Sequence, residues 1–338
     1  MAMTIYDISK KAGVSIATVS RVLNGSENVR PSTRKKVMDV IDKYDYTPNA
    51  FARGMGLHSL KTIGILCADS SDLFLAKAVY FLEQELQANG YESLLCCTGY
   101  NPDIKKNYLN LILSKKVDSI ILVGSHFIGF NEDENQYIKD FSTQVPIMLL
   151  NASFDHPNVY STLCDDYGTM FEAATEMIQS GITDILYLYD SKSYSGLKKL
   201  HGFCDAMKEY NIPGFEKLIH FYDGNIEHLN EVADFVARIA TKGTSFHGIM
   251  TSDDSLAIGS IKYAQKKGIR IPEELSVMGY NNSMLTNCCT PELTSVDNRL
   301  ETQTHQLVQT LLGVLAGEEM PKKSIFSGKI IKRGTTLF

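Results

Sequence analysis

From residue 62 onward, short apolar runs alternate with amphipathic stretches, and few architectures accommodate that rhythm. The runs are TIGILC (62–67), ESLLCC (92–97), DSIILV (118–123), PIMLL (146–150), DILYLY (184–189), FHGIM (246–250) and LSVMG (275–279). Between them, stretches such as 74–89, 104–115, 166–180, 197–210, 226–240 and 254–267 carry helical periodicity. Short apolar runs suit strands covered on both faces, and the intervening stretches suit the helices that cover them. About nine strands over roughly 275 residues exceed one ordinary core, so the pattern predicts an α/β body of two doubly wound parallel-sheet subdomains. Ligands of such sheets sit outside the carboxyl ends of the strands, here in a cleft between the subdomains.

Residues 4–45 follow a different rhythm, that of three short helices. Thr4 stands three residues ahead of Asp7, a capping-box-like start, and Ile5, Ile8 and Ala12 then share a face. Gly13 stops this helix and permits a tight turn. Ser15 caps a second helix that runs to about Leu23, before Asn24-Gly25. Pro31 suits the first turn of a third, in which Val37, Val40, Ile41 and Tyr44 keep helical spacing. On a wheel of the second helix, Val19, Val22 and Leu23 cluster on one side, and Ile16, Ala17, Ser20 and Arg21 occupy much of the other.

The first face packs inward and the second can enter a major groove, which makes the α-helical head a candidate helix-turn-helix. Arg21 suits a bidentate contact to guanine, and Ile16 or Ala17 suits a thymine methyl. Phosphate-positioning work falls to Thr4, Tyr6, Ser15, Thr18, Ser20, Asn24 and the Arg34-Lys35 run. Periodicity alone also fits a small helical cap with a solvated charged face. Charge separates these readings in part. Residues 1–60 hold nine Lys/Arg against five Asp/Glu, a net of +4, while the remainder holds 24 bases against 34 acids, a net of −10. A basic head on an acidic body suggests that only the head approaches a polyanion.

Seven cysteines, at 67, 96, 97, 164, 204, 288 and 289, are an odd number without C-x-x-C spacing. They read as reduced, mostly buried residues, and no resolving partner marks either adjacent pair as a redox sensor. No apolar stretch approaches the ~20 residues that cross a bilayer. The start MAMTIYDISKK has no apolar signal core, so a cytoplasmic location without membrane association is expected.

TIYDISKKAGVSIATVSRVLNGSENVRPSTRKKV, followed by YTPNAFARGM, resembles the DNA-binding head of the lactose-repressor/galactose-repressor (LacI/GalR) family over more than fifty consecutive residues. The body resembles that family more loosely in GYESLLCCT, VDSIIL, HGFCDAM, TSDDSLAIG and IPEELSVMGYNNS. The resemblance implies a homodimer on pseudo-palindromic double-stranded operator DNA, a small-molecule effector, and a body like a periplasmic sugar-binding protein. It implies a helix-turn-helix domain at 1–46, a hinge helix or linker at 47–60, and an effector-binding and dimerisation domain at 61–338. Within that domain the N-subdomain is expected at about 61–162 plus 296–324, and the C-subdomain at about 163–295 plus 325–338.

By position, Ile16 and Ala17 match the residues that vary with operator sequence, and Arg21 matches the arginine of the VSR triplet. The segment Asn49 to Met55, with Ala52 and Arg53, matches the hinge helix, which orders only on DNA. Met55 stands where the family wedges an apolar side chain, usually leucine, into a central minor-groove step. In the cleft, Lys199 stands where a ligand-gripping arginine is usual, and Lys is a point charge where Arg is a fork. Asp253 stands where Asn or Asp is found, and Asn281 and Asn151 where aspartates are common. Asp69, Asp72 and Phe74 match the entry segment. Asn supplies both donor and acceptor and Phe74 offers a stacking face, which suits a sugar; Lys199 also permits a phosphorylated or carboxylated ligand.

An enzyme finds no support, since no H-E-x-x-H, G-x-S-x-G, GxxxxGK or GxGxxG is present, and neither a metal nor a cofactor is expected. A transport-type binding protein would not carry a DNA reader. A regulator whose corepressor is a phosphocarrier protein, as for the catabolite control protein, remains open. The chain stops without a heptad tail, so no coiled-coil tetramer is expected.

Overall fold

The computed structural model describes residues 3–23, 26, 28–44, 46, 59–241 and 243–338. These divide into two compact units, Met1–Thr62 and Ile63–Phe338, each described by itself.

The first unit is built on α1 (Ile5–Ala12), α2 (Ile16–Leu23) and α3 (Pro31–Lys43). Thr4 accepts from the Asp7 N–H while the Asp7 carboxylate accepts from the Thr4 N–H at 2.9 Å, a complete capping box. Gly13 takes the left-handed conformation (φ 66°) that closes α1, its N–H donating to the Ser9 carbonyl. The core joins Ile8, Val19, Val22, Val37, Ile41 and Tyr46, so the inward face of α2 is the one its periodicity predicts. Tyr44 is instead exposed, with the Lys11 ammonium 4.4 Å from its ring centroid.

The second unit contains two six-stranded sheets among the described residues. The first runs in the order β11-β5-β4-β3-β1-β2, from β1 (Thr62–Cys67), β2 (Glu92–Cys97), β3 (Ser119–Val123), β4 (Ile147–Leu150), β5 (Val159–Cys164) and β11 (Lys323–Phe326). The second runs β12-β10-β9-β8-β6-β7, from β6 (Ile185–Tyr189), β7 (Ile219–Phe221), β8 (Gly248–Thr251), β9 (Ser276–Tyr280), β10 (Thr294–Asp297) and β12 (Lys329–Ile331). Parallel pairing runs from β11 to β1 and from β10 to β7, and β12 is antiparallel to β10.

Helices cover both faces of each sheet. In the first lobe α4 (Leu73–Ala88) and α11 (Leu300–Leu315) lie over one face, and α5 (Pro102–Ser114) and α6 (Gln136–Ser142) over the other. In the second, α7 (Asp166–Gln179) and α8 (Tyr194–Glu209) oppose α9 (Leu229–Thr241) and α10 (Asp254–Lys267). The chain passes between lobes after Cys164, after Asp297 and after Phe326, in each case two residues beyond the expected 162, 295 and 324. Each strand continues its ladder to the edge of the cleft, and the Asp165 N–H bonds the Phe326 carbonyl at 2.8 Å at that edge. The strands β5, β7, β10, β11 and β12 match none of the apolar runs named from the sequence; Ser161, Thr162, Thr294 and Ser295 are buried within them.

Candidate functional site

On the head, Ile16, Ala17 and Arg21 are exposed, and Ile16 keeps 40% of its surface free. Thr18 and Ser20 are half-buried on the flank of this ridge. Ser15 precedes α2 with its Oγ accepting from the Thr18 N–H (3.2 Å) and 2.9 Å from the Thr18 hydroxyl, so both side chains fix the helix start. Thr4 is committed in the same way to the start of α1, and Tyr6 stands 69% exposed beside it. Arg34 makes contacts within the head. Its guanidinium donates to the carbonyls of Val22 and Ser26, where the end of α2 leaves acceptors unsatisfied, so it holds α2 against α3. Lys35 remains exposed. Asn24, Asn49, Ala52, Arg53 and Met55 lie outside the described residues.

In the second unit, the carboxyl ends of both sheets converge on a cavity of about 90 Å³. It is lined from the first lobe by Asp72, Phe74, Tyr100, Ser125, His126 and Asn151, and from the second by Asp190, Ser193, Lys199, Ser252, Asp253 and Asn281. The lobes meet over it, with the Ser125 hydroxyl donating to Ser193 Oγ at 2.8 Å. An outer cavity of about 600 Å³ shares Phe74, Asp253 and Asn281 with it and continues past Lys77, Tyr80, Met284 and Arg299. Ligand pockets generally occupy about 300–1,000 Å³. The inner cavity is therefore one part of a larger cleft.

Lys199, on α8, points its ammonium at the Ser252 carbonyl (3.0 Å) and lies 3.9 Å from the Tyr280 ring centroid. It lies near two carboxylates: burial raises the titration of both Asp166 and Asp253, and the Lys199 charge opposes that rise. Asp253 caps α10 through the Ser255 N–H (2.7 Å) and accepts from Asn281 Nδ2 (2.8 Å); Asn298 in turn donates to Asn281 Oδ1 (3.0 Å). Asp72 caps α4 through the Leu75 N–H (2.8 Å). Burial, reinforced by the charge of Asp253, pushes Asp72 up to about 6. Burial and then Asp190 push Asp253 in the same direction.

Asn151 (φ 65°) and Asn281 (φ 98°) sit in the left-handed region, which asparagine tolerates well. That conformation is a local reason for asparagine at both strand ends. Asp69 is not among the cavity's lining residues. It is closed in a turn on the Ser71 N–H and hydroxyl, both at 2.8 Å, and those bonds hold it below the usual carboxylate range.

Tyr100 and Asp190 were not singled out from the sequence, and His126 was not assigned to the cleft, although each follows an apolar strand run. The carboxyl-end rule, applied to DILYLY and DSIILV, leads directly to Asp190 and to Ser125-His126. His126 is driven down to about 4 by burial and then by the Lys105 charge, so it lines the cavity as a neutral imidazole. Asp190 accepts from the Ser252 hydroxyl at 2.8 Å.

A three-helix head with an exposed second helix, and a two-lobed body with a polar cleft at its strand ends, define the class of ligand-responsive DNA-binding regulators. Residues 4–49 match the bacterial regulatory proteins of the lacI family, and residues 174–336 match a periplasmic binding protein-like domain. An HTH-type transcriptional regulator of Lachnoclostridium phytofermentans is 49% identical over 336 residues, covering 99% of this chain and 100% of the relative. Catabolite control protein A of Priestia megaterium is 33% identical over 303 residues, covering 88% and 87%. Among solved structures, the lac repressor dimer bound to operator and the anti-inducer ONPF aligns with a TM-score of 0.88 at 20% identity over 100% of both chains, a likeness of fold. The chain belongs to the lacI family of bacterial transcriptional regulators, which are not enzymes. No helix among the described residues is long and apolar enough to cross a membrane.

Proposed function

We propose that this regulator represses transcription in the cytoplasm as a homodimer on a pseudo-palindromic operator, and that a neutral sugar held between the lobes sets its grip. The observation that carries the reading is the solvent-facing ridge Ile16–Ala17–Arg21 in a chain whose body closes on a polar chamber. Arg21 reads guanine, Ile16 and Ala17 contact thymine methyls, and Thr4, Tyr6, Ser15, Thr18, Ser20, Asn24 and Lys35 place the backbone. The hinge segment Asn49–Met55, with Ala52 and Arg53, reaches the minor groove, and Met55 is its wedge. Unstacking a base step costs a few kcal/mol, so two hinges must supply it together.

Asp72, Asp190 and Asp253 outnumber Lys199 around the chamber, and the Lys199 ammonium already donates to the Ser252 carbonyl. A phosphate or carboxylate meets net negative charge there, whereas sugar hydroxyls find acceptors on Asp72, Asp190 and Asp253 and amide groups on Asn151 and Asn281. Phe74 supplies a face for the ring. Ligand and operator then bias one two-state equilibrium between open and closed lobes, each changing the affinity of the other.

The experiment is an operator titration at fixed salt with neutral sugars, sugar phosphates and a phosphocarrier protein. Neutral sugars are expected to shift affinity at least fivefold and sugar phosphates not to. A shift with the phosphocarrier protein alone supports the second reading, which the 33% identity to catabolite control protein A favours. Absence of any preference for pseudo-palindromic over scrambled duplex defeats both.

A further inference from the structure

Two of the seven cysteines, thirty positions apart in sequence, meet in the first lobe. Cys67 ends β1 and Cys97 ends β2, neighbouring strands of one sheet, and the Thr98 N–H donates to the Cys67 carbonyl at 2.8 Å. Their sulfur atoms lie 3.8 Å apart. Adjacent strands run about 4.8 Å apart, inside the roughly 4.4–6.8 Å Cα separation that a disulfide spans. The sulfurs must still approach from 3.8 Å to the bond length of about 2.05 Å.

The pair is asymmetric. Cys97 is exposed, whereas Cys67 is fully buried in the core beneath α4. Cys96 packs with the core on the other face, as strand alternation requires, so of the adjacent pair only Cys97 faces Cys67. An accessible thiol with a second thiol behind it, out of reach of bulk oxidant, is the arrangement of an attacked and a resolving cysteine.

We infer that Cys97 and Cys67 form a reversible oxidative disulfide site, with a hydroperoxide as oxidant. Cys97 thiolate attacks the peroxide, the O–O bond breaks, and Cys97 becomes a sulfenic acid with release of water or alcohol. The Cys67 sulfur then attacks the Cys97 sulfur, the S–O bond breaks, and a second water leaves with the Cys67 proton. Two thiols lose two electrons and one peroxide gains them. Burial, followed by the neighbouring Cys97, pushes the Cys67 thiol up to about 12, which agrees with its burial in making Cys97 the first target. The bond ties together the roots of two loops that carry Asp72 and Tyr100 into the cleft.

The test treats the full chain with hydrogen peroxide, traps sulfenic acid with dimedone, alkylates remaining thiols and maps the peptides. Wild type is expected to yield a Cys67–Cys97 cross-linked peptide, two hydrogen atoms lighter than its parts and lost on treatment with dithiothreitol. C67A is expected to accumulate the dimedone adduct at Cys97 at least fivefold over wild type, and C97S to leave Cys67 reduced. The inference fails if wild type carries the Cys97 adduct as persistently as C67A, or if Cys97 bonds to Cys96 or to a second chain. Wild-type mapping decides the matter even if C67A folds poorly.

Discussion

Arg21 is an exposed residue on a helix whose opposite face is pinned by Val19 and Val22. Its removal therefore spares the fold and deletes the base contact proposed for it. Arg21→Ala is expected to weaken operator binding by about 1–3 kcal/mol, with little change on random duplex and an unchanged fold by circular dichroism. Equal loss on operator and random DNA contradicts a base-reading role. Asp254, one residue past the cleft, presents a different case. It is buried and accepts from the Ser295 hydroxyl and the Ser283 N–H, both at 2.6 Å, and burial followed by the Asp253 charge pushes it up to about 7. A carboxyl raised on folding gives stability that is complete below its ordinary value near 4. That stability fades as pH rises and is gone once pH passes about 7. The amount is roughly 3–4 kcal/mol at 1.36 kcal/mol per unit. Urea melts of Asp254→Asn are expected to be flatter than wild type between pH 5 and pH 8, with the variant gaining on wild type at the alkaline end. Parallel curves would remove this assignment.

Close approach of elements sets the next scale. Gly202 on α8 faces α7 so tightly that an added Cβ would stand 2.3 Å from the Tyr167 carbonyl oxygen, which is backbone and cannot swing aside. Alanine gains helix propensity of about 0.8–1 kcal/mol over glycine, and overpacking costs about 1–3 kcal/mol or more. Gly202→Ala is expected to destabilise the body by about 1–2 kcal/mol net in urea melts; a stabilised variant would show that α7 and α8 separate freely. Elements also decide what was legible in the sequence. The helices α1 to α3 were readable because Thr4, Gly13, Ser15 and Pro31 mark their ends and apolar spacing marks their faces. The strands β5 and β10 were not, because buried hydroxyls interrupt their apolar residues, Ser161 and Thr162 in β5 and Thr294 and Ser295 in β10, and those of β10 are satisfied from distant segments. Thr294 Oγ1 lies 2.9 Å from Thr336 Oγ1, and the Ser295 hydroxyl donates to Asp254. Such partners appear in no local window. The same holds for the cleft: Lys199 and Asp253 could be placed by resemblance, but the dominance of carboxylates around Lys199 needed Asp190 from a neighbouring strand and Asp72 from the other lobe. A basic run likewise says nothing of the Val22 and Ser26 carbonyls to which Arg34 donates.

At the scale of the whole molecule, a ligand that binds only the folded body adds stability by mass action. At a hundredfold excess over its Kd an effector supplies about 2.7 kcal/mol, so a thermal-shift screen of neutral sugars is expected to find a rise of several degrees. A set in which only sugar phosphates raise the midpoint overturns the charge argument for the chamber. Sedimentation at micromolar concentration is expected to give a dimer, and a monomer at operator-binding concentrations contradicts two-hinge insertion. The three crossings of the chain between lobes have a further consequence. Neither lobe is a continuous piece of sequence: the first sheet lacks β11 and its covering helix α11 until residues 300–326 have been made. On the ribosome α1 to α3 of the head are complete early, while the first lobe waits with an open sheet edge through the synthesis of the second. Both lobes then finish almost together, which binds their fates and makes the final forty residues the moment at which this regulator becomes a sensor.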